Sequence, residues 1–249
     1  MNEVMKQLVD RKSVRVFEEK DITEEVKENI LEAAFQAPTA GNQMMYTILN
    51  ISDQIILDKL AKSCDDQPFI AKSKMTLIFC ADYQKWFDAF ALAVDKPRKP
   101  GVGELLLACN DALIAAQNAV VAAESYGVGS CYIGDIMEKC EYHKELLNLP
   151  RYVFPVAMLV FGYPTKQQQE RVKPKRFDKK YIVHENTYQK MDAATLEKMF
   201  LDQASKKDED DYDLNAWLQA FYKRKYDSNF SKEMTRSVGE YIKLFQNEE

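Results

Sequence analysis

Two long apolar runs constrain the fold more than any other feature of the sequence. They are MTLIFCAD, at Met75–Asp82, and YVFPVAMLVFG, at Tyr152–Gly162. A strand that is covered on both faces is apolar without alternation, whereas a strand with one wet face alternates apolar and polar residues. The two runs therefore predict strands in the middle of a sheet that carries helices on both faces.

Weaker signals surround these two runs. Three further strands are predicted from RKSVRVF, YTILNI and SCYIG, which makes about five in all. Helices are predicted in the first ten residues, after the DIT sequence, at Gln54–Lys62, at Glu104–Tyr126 and around Met137–Leu147. Strands that alternate with helices in this way predict a mixed sheet between helical layers.

Charge and residue usage exclude several functional classes. The net charge of -5 argues against non-specific nucleic-acid binding, which needs a basic face. The five cysteines are scattered without C-x-x-C spacing, so we expect reduced thiols in a cytoplasmic protein. With only His143 and His184 in the chain, no metal site is predicted and a Ser-His or Cys-His hydrolase has little support.

No membrane partner is expected either. The first ten residues are too polar for a signal peptide. The apolar segment Glu104–Tyr126 is long enough to span a bilayer, but it is interrupted by Asn110, Asp111, Gln117, Asn118 and Glu124. Such residues are costly in hydrocarbon, so the segment is predicted to be a helix buried in protein.

The stretch RKSVR, Arg11–Arg15, is a candidate anion site. Two guanidinium groups four residues apart, with Lys12 and Ser13 between them, can converge on a phosphate. The alternative is a helix end followed by an edge strand whose basic residues face water. A second basic cluster, KPKRF, contains Lys173, Lys175 and Arg176 and has the same two interpretations.

Two further segments are rich in small residues. The turn APTAGNQ, Ala37–Gln43, would let the backbone approach a flat ligand, with Asn42 as hydrogen-bond donor and acceptor, although many turns of this composition bind nothing. The glycines of Ser125–Asp135 do not form a G-x-G-x-x-G motif. A Rossmann dinucleotide site is therefore disfavoured.

The order of these motifs resembles that of the nitroreductase family of FMN-dependent oxidoreductases, in particular its NADPH-flavin reductases and oxygen-insensitive nitroreductases. The resemblance covers residues 1 to about 190 through RKSVRVF, AAFQAPTAGNQ, CDDQPFIAKSKMTLIFCADY, GVGSCYIGDI, VFGYP and KPKRFDKKYIVHENTY. It implies an α+β fold of three layers around a mixed, mainly antiparallel sheet. Residues 1–190 would form the FMN-binding domain, and residues 191–249 a helical C-terminal extension packed on the same domain.

The resemblance also implies the activity. The protein would be a homodimer with FMN sites at the interface, in which NAD(P)H passes a hydride to flavin N5 and a nitroaromatic, quinone or flavin then takes it in a ping-pong cycle. No side chain would be catalytic, because the chemistry belongs to the flavin. The alternative is a flavin-binding or sensor protein of the same fold with little turnover, which Asp135 and the acidic segment Asp208–Asp211 favour.

Site residues follow from the resemblance position by position. The phosphate would be bound by Arg11, Lys12, Ser13, Arg15, Lys173 and Lys175. The flavin would be contacted from the partner subunit by Thr39, Ala40, Gly41 and Asn42, at the ring or ribityl chain by Gln67, and along the isoalloxazine by Tyr132, Ile133 and Gly134. Three positions depart from many relatives: Ala40 replaces Ser, Asp135 replaces a small residue and Lys175 replaces Arg.

Overall fold

The computed structural model describes residues 1–204 and 213–246. Contacts divide the chain into two compact units, Met1–Arg171 with Glu233–Glu249, and Val172–Lys232. The domain boundary that the sequence suggests at residue 190 stays a prediction. The solvated turn predicted at Lys206–Asp213 lies outside the described residues, except for Asp213. The whole acidic segment Asp208–Asp211 also lies outside the described residues.

A four-stranded antiparallel sheet forms the centre of the larger unit. Its strands are β1 (Tyr46–Asn50), β2 (Met75–Asp82), β3 (Gly129–Ile133) and β4 (Val153–Gly162), in the order β1-β2-β4-β3. The two apolar runs form the middle strands β2 and β4, as predicted, and every residue of both strands is buried. The fold class is confirmed, but the sheet has four strands among the described residues rather than about five.

The predicted strand RKSVRVF forms only two isolated bridges, a parallel one from Ser13 to Ser130 and an antiparallel one from Phe17 to Pro164. Close packing of Val14 and Phe17 on two glycines explains why this segment does not form a strand. A Cβ atom on Gly129 would lie 2.5 Å from Cγ2 of Val14, and one on Gly162 would lie 2.6 Å from the ring of Phe17. Because these two glycines face each other across β3 and β4, the segment passes over the end of both strands and does not extend the sheet.

Helices cover both faces of this sheet. The described helices are α1 (Glu3–Asp10), α2 (Glu24–Phe35), α3 (Gln54–Ser63), α4 (Gln84–Ala91), α5 (Val102–Ser125), α6 (Cys140–Leu146), α7 (Lys166–Glu170), α8 (Ala193–Ala204), α9 (Leu214–Lys225) and α10 (Asn229–Leu244). Among them, only α5 is long and apolar enough to cross a membrane by length and composition. Its alanine-rich face is buried against the sheet, as expected of a core helix.

The end of α10 belongs to the larger unit. Tyr241 and Phe245 are almost completely buried in the same core as α5, so this part of the C-terminal region is a component of the central fold. In the smaller unit, α8 and α9 are joined by an aromatic cluster in which Phe200 contacts Phe177 and Trp217. Sequence analysis predicted neither α4 nor this cluster.

Candidate functional site

The cationic segment Arg11–Arg15, called the cradle below, begins where α1 ends. The backbone N–H of Arg11 closes the helix on the carbonyl of Gln7 at 2.8 Å. Its side-chain nitrogen Nη1 is buried and has no hydrogen-bond acceptor among the described residues. A buried donor without an acceptor costs about 1–3 kcal/mol, and more when it is charged, so this geometry favours binding of an anion.

The cradle side chains converge beside β3. Burial raises the pKa of the Cys131 thiol, while Arg15, the hydroxyl of Ser13 and Arg11 act in the opposite direction. Burial likewise raises the pKa of Tyr132 to about 12, although the positive charge of Arg11 acts to lower it. Three of the predicted phosphate ligands therefore lie close to the strand that is predicted to contact the flavin ring.

Helix α7 and the residue after it interlock with the cradle. Nζ of Lys12 donates to the carbonyls of Gln169 at 2.5 Å and Arg171 at 2.7 Å. The N–H of Arg15 donates to Oε1 of Gln168 at 3.2 Å, and Nη2 of Arg171 donates to the carbonyl of Ser13 at 2.5 Å. No local pattern in the sequence points to Gln168 or Arg171, and the predicted contact of Lys12 with a phosphate stays a prediction.

The turn at residues 39–45 is built around a buried carboxylate of α5. Asp111 is only 3% exposed and accepts hydrogen bonds from the hydroxyl of Thr39 and from the backbone N–H groups of Ala40 and Met45, the last two at 3.2 Å. Gly41 and Asn42 both have a φ of 56°. These bonds hold the turn in a form that leaves residues 40–42 exposed.

Sequence analysis had noted Asp111 only as a polar interruption of an apolar helix. That interruption was the available signal, because a carboxylate on a buried helix face is unfavourable unless it is hydrogen-bonded.

An apolar cavity of about 570 Å³ lies beside this turn. Its walls include Phe35, Met44, Tyr46 and Trp86. The indole N–H of Trp86 donates to the carbonyl of Gln43 at 2.7 Å, which ties helix α4 to the turn. A cavity of this size and composition is in the range of small-molecule sites.

Gln67 lies in the turn that follows α3. Its backbone N–H donates to Ala61 at 2.8 Å, and its side-chain Nε2 donates to the carbonyl of Cys64 at 2.7 Å. The end of α3 is joined to the segment after β3 by Lys139, whose Nζ donates to the carbonyl of Ser63 at 2.6 Å. Gln67 and the turn that begins at Gly134 therefore belong to neighbouring segments.

An acidic group follows β3. Glu138 is 6% exposed, and its Oε1 is buried with no hydrogen-bond donor among the described residues. Burial raises the pKa of Glu138 to about 7, and the negative charges of Asp135, Asp65 and Glu233 add to the effect, while Lys139 opposes it. Sequence analysis had identified Asp135 as unusual but not the buried carboxyl beside it.

The second basic cluster belongs to the smaller unit. Nζ of Lys175 donates to the carbonyl of Asp202 at 2.5 Å, and Lys175 also lines a cavity of about 310 Å³ with Phe200 and Trp217. Lys173 lies two residues earlier in the same segment. The predicted contact of both lysines with a phosphate stays a prediction.

The chain belongs to the nitroreductase family, because the sequence profile of that family matches residues 8–163, more than half of its length. It is 32% identical over 197 residues to an FMN reductase [NAD(P)H] of Bacillus subtilis, covering 78% of each chain. It is also 32% identical over 197 residues to an oxygen-insensitive NADPH nitroreductase of Salmonella typhimurium, covering 79% of each. Among solved structures, the hypothetical oxidoreductase YcnD of Bacillus subtilis superposes with a TM-score of 0.81 at 27% identity, covering 97% of this chain and 98% of the other.

Proposed function

We propose that this protein is an FMN-dependent NAD(P)H oxidoreductase that acts by ping-pong hydride transfer on nitroaromatic, quinone or flavin acceptors. Family membership supports the class of enzyme. The names of the two relatives, an FMN reductase and an NADPH nitroreductase, support the cofactor and the nicotinamide substrate.

One observation carries the proposal, namely the buried Nη1 of Arg11, which has no acceptor in the described part of the chain. A guanidinium does not lose its proton in proteins, so this nitrogen needs an acceptor from outside the described residues, and an anion is the acceptor that binds a guanidinium most strongly. Arg15 and the hydroxyl of Ser13 converge on the same region beside β3. Two guanidinium groups and a hydroxyl fit the terminal phosphate of FMN.

The remaining contacts would come from the other predicted residues. These are Thr39, Ala40, Gly41, Asn42, Gln67, Tyr132, Ile133, Gly134, Lys173 and Lys175. When bound, FMN would supply the centre that accepts and donates hydride, so no side-chain acid or base is required.

The protein would position the reactants. The hydroxyl of Tyr132 keeps its proton and donates to Oε1 of Gln117 at 3.3 Å, and burial raises the pKa of Tyr132 further, to about 12. The exposed turn at residues 40–42, which Asp111 holds open, is suited to face a second subunit. We therefore also propose a cytoplasmic homodimer with sites at the interface, and the cavity lined by Met44 and Trp86 as a place for a small aromatic acceptor.

The first experiment is the visible absorption spectrum of the purified protein, followed by release and identification of any chromophore. We expect stoichiometric FMN and steady-state oxidation of NAD(P)H with a quinone acceptor. Flavin-loaded protein without turnover would favour the flavin-binding or sensor alternative. Protein that is colourless and cannot be loaded with FMN would refute both functions.

A further inference from the structure

We infer that the end of α7 and the residue that follows it, together Gln168–Arg171, form a strap that sets the geometry of the phosphate cradle. Lys12 and Arg171 are positioning residues that act through this strap. This inference deepens the proposed function and depends on it. It assigns Lys12 a different role from the direct phosphate contact that the sequence suggested.

The ties between strap and cradle run in both directions. Lys12 donates from the cradle to two carbonyls of the strap, and Arg171 donates from the strap back to the carbonyl of Ser13. Between them, the carbonyl oxygen of the Gln168 side chain accepts the backbone N–H of Arg15. The backbone on both sides of Val14 is therefore held by strap atoms.

The strap is itself anchored to the sheet. Nε2 of Gln169 donates to the carbonyl of Pro164 at 2.9 Å, directly after β4. The side chain of Gln168 is 8% exposed, so its bond to Arg15 is shielded from water. A hydrogen bond that is shielded from water is stronger than an exposed one. The strap therefore connects the cradle to the segment that follows β4.

The ammonium group of Lys12 already has two close carbonyl acceptors. An ammonium has three donors, and two of them are used by these bonds. Lys12 and Arg171 thus both join the strap to the cradle. Loss of either residue should release the same segment.

The test compares the Kd of FMN with that of riboflavin, which lacks the phosphate, by fluorescence quenching on cofactor-free protein. The variants are Arg171→Met, Lys12→Met, the double variant and Arg171→Lys, which keeps a donor. Lys166→Met is the control, because Lys166 lies on the same helix, is exposed and forms an ion pair with Glu170 at 3.7 Å. Thermal unfolding of each variant checks that it folds.

We expect the preference for FMN over riboflavin to fall about tenfold in each single variant, the value of one lost charge-assisted hydrogen bond. The Kd of riboflavin should stay unchanged, Arg171→Lys should recover most of the preference, and Lys166→Met should match the wild type. The double variant should lose no more than the larger single loss, because two residues that act through one strap are not additive.

Three results would overturn the inference. They are an unchanged preference in Arg171→Met, equal weakening of FMN and riboflavin, and losses that add in the double variant, which would indicate two independent contacts. Failure of the proposed function gives a different result, because wild-type protein would then bind neither flavin or would bind both equally.

Discussion

Two regions near β3, the cradle and the turn that follows the strand, each bury an atom of a charged group that lacks a partner among the described residues. In the cradle, Nη1 of Arg11 is a buried donor without an acceptor, and after the strand, Oε1 of Glu138 is a buried acceptor without a donor. The carboxyl can relieve its burial by holding a proton, and its pKa rises to about 7. The guanidinium cannot give up its proton. An unpaired donor of this kind therefore indicates a ligand, whereas the unpaired carboxyl indicates protonation.

The largest expected effect comes from Arg11→Met. If the guanidinium with its buried Nη1 binds phosphate, its removal should weaken FMN binding about 100-fold, the value of a charge-assisted hydrogen bond in a shielded site. The cofactor-free variant should be at least as stable as the wild type, because a buried donor without an acceptor has been removed.

Titration of FMN into cofactor-free protein and urea unfolding measure these two quantities. Lys59→Met is a matched control, since Lys59 is exposed on α3. If FMN affinity is unchanged, or if stability falls along with affinity, the contrast between Arg11 and Glu138 is wrong.

Glu138→Gln should have the next largest effect, on stability. The pKa of Glu138 is raised to about 7 in the folded protein from 4.5, so the folded state binds one more proton than the unfolded state between these values. The free energy of unfolding therefore decreases as pH rises through this window. The variant lacks this decrease.

We expect the stability of Glu138→Gln relative to the wild type to increase by about 2–3 kcal/mol between pH 4.5 and pH 8. The neutral amide also lies in a site without partners, which shifts the difference equally at every pH, so the change with pH is the quantity to test. Urea unfolding at several pH values measures it, with Glu145→Gln, at an exposed position of α6, as control. An equal difference at both pH values would mean that the carboxyl does not titrate in this window.

The sequence predicted the elements whose signals are local. The apolar runs of β2 and β4 and the long α5 were found, because covered strands and core helices are apolar over their whole length. The segment RKSVRVF has the composition of a strand, but Gly129 and Gly162 let it pass over the sheet. This path could be predicted only if the pairing of β3 with β4 were already known.

The site was only partly predictable for the same reason. The cations of the cradle are adjacent in sequence, so the motif was visible. The strap is bound to the cradle across more than 150 residues of sequence, and no local pattern indicates such a contact. The pKa of Glu138 is raised partly by Glu233, from a helix near the C-terminus, and the proximity of these two carboxyl groups could not be inferred from the neighbours of Glu138 in sequence.

The smallest predicted effect, that of Asp135→Asn, separates the two causes of protonation at Glu138. After burial, the charge of Asp135 is the largest contribution to the raised pKa, and asparagine removes that charge while keeping the shape of the side chain. The pKa of Glu138 should then fall by about 0.5–1 unit and remain above its ordinary value.

The measurement is the difference in unfolding free energy between Asp135→Asn and the double variant Asp135→Asn/Glu138→Gln as a function of pH. This difference changes with pH between the unfolded and the folded pKa of Glu138, so the upper end of the window reports the folded pKa without the charged neighbour. An upper end that stays near 7 would mean that burial and the other charges suffice and that Asp135 does not contribute to the raised pKa. A window that closes altogether, with no change of the difference with pH, would mean that repulsion by Asp135, and not burial of an unpaired group, holds the proton. In that case Glu138 would not be the counterpart of Arg11, because its proton would depend on another charge of this chain, whereas Nη1 of Arg11 would still require an acceptor from outside the described residues.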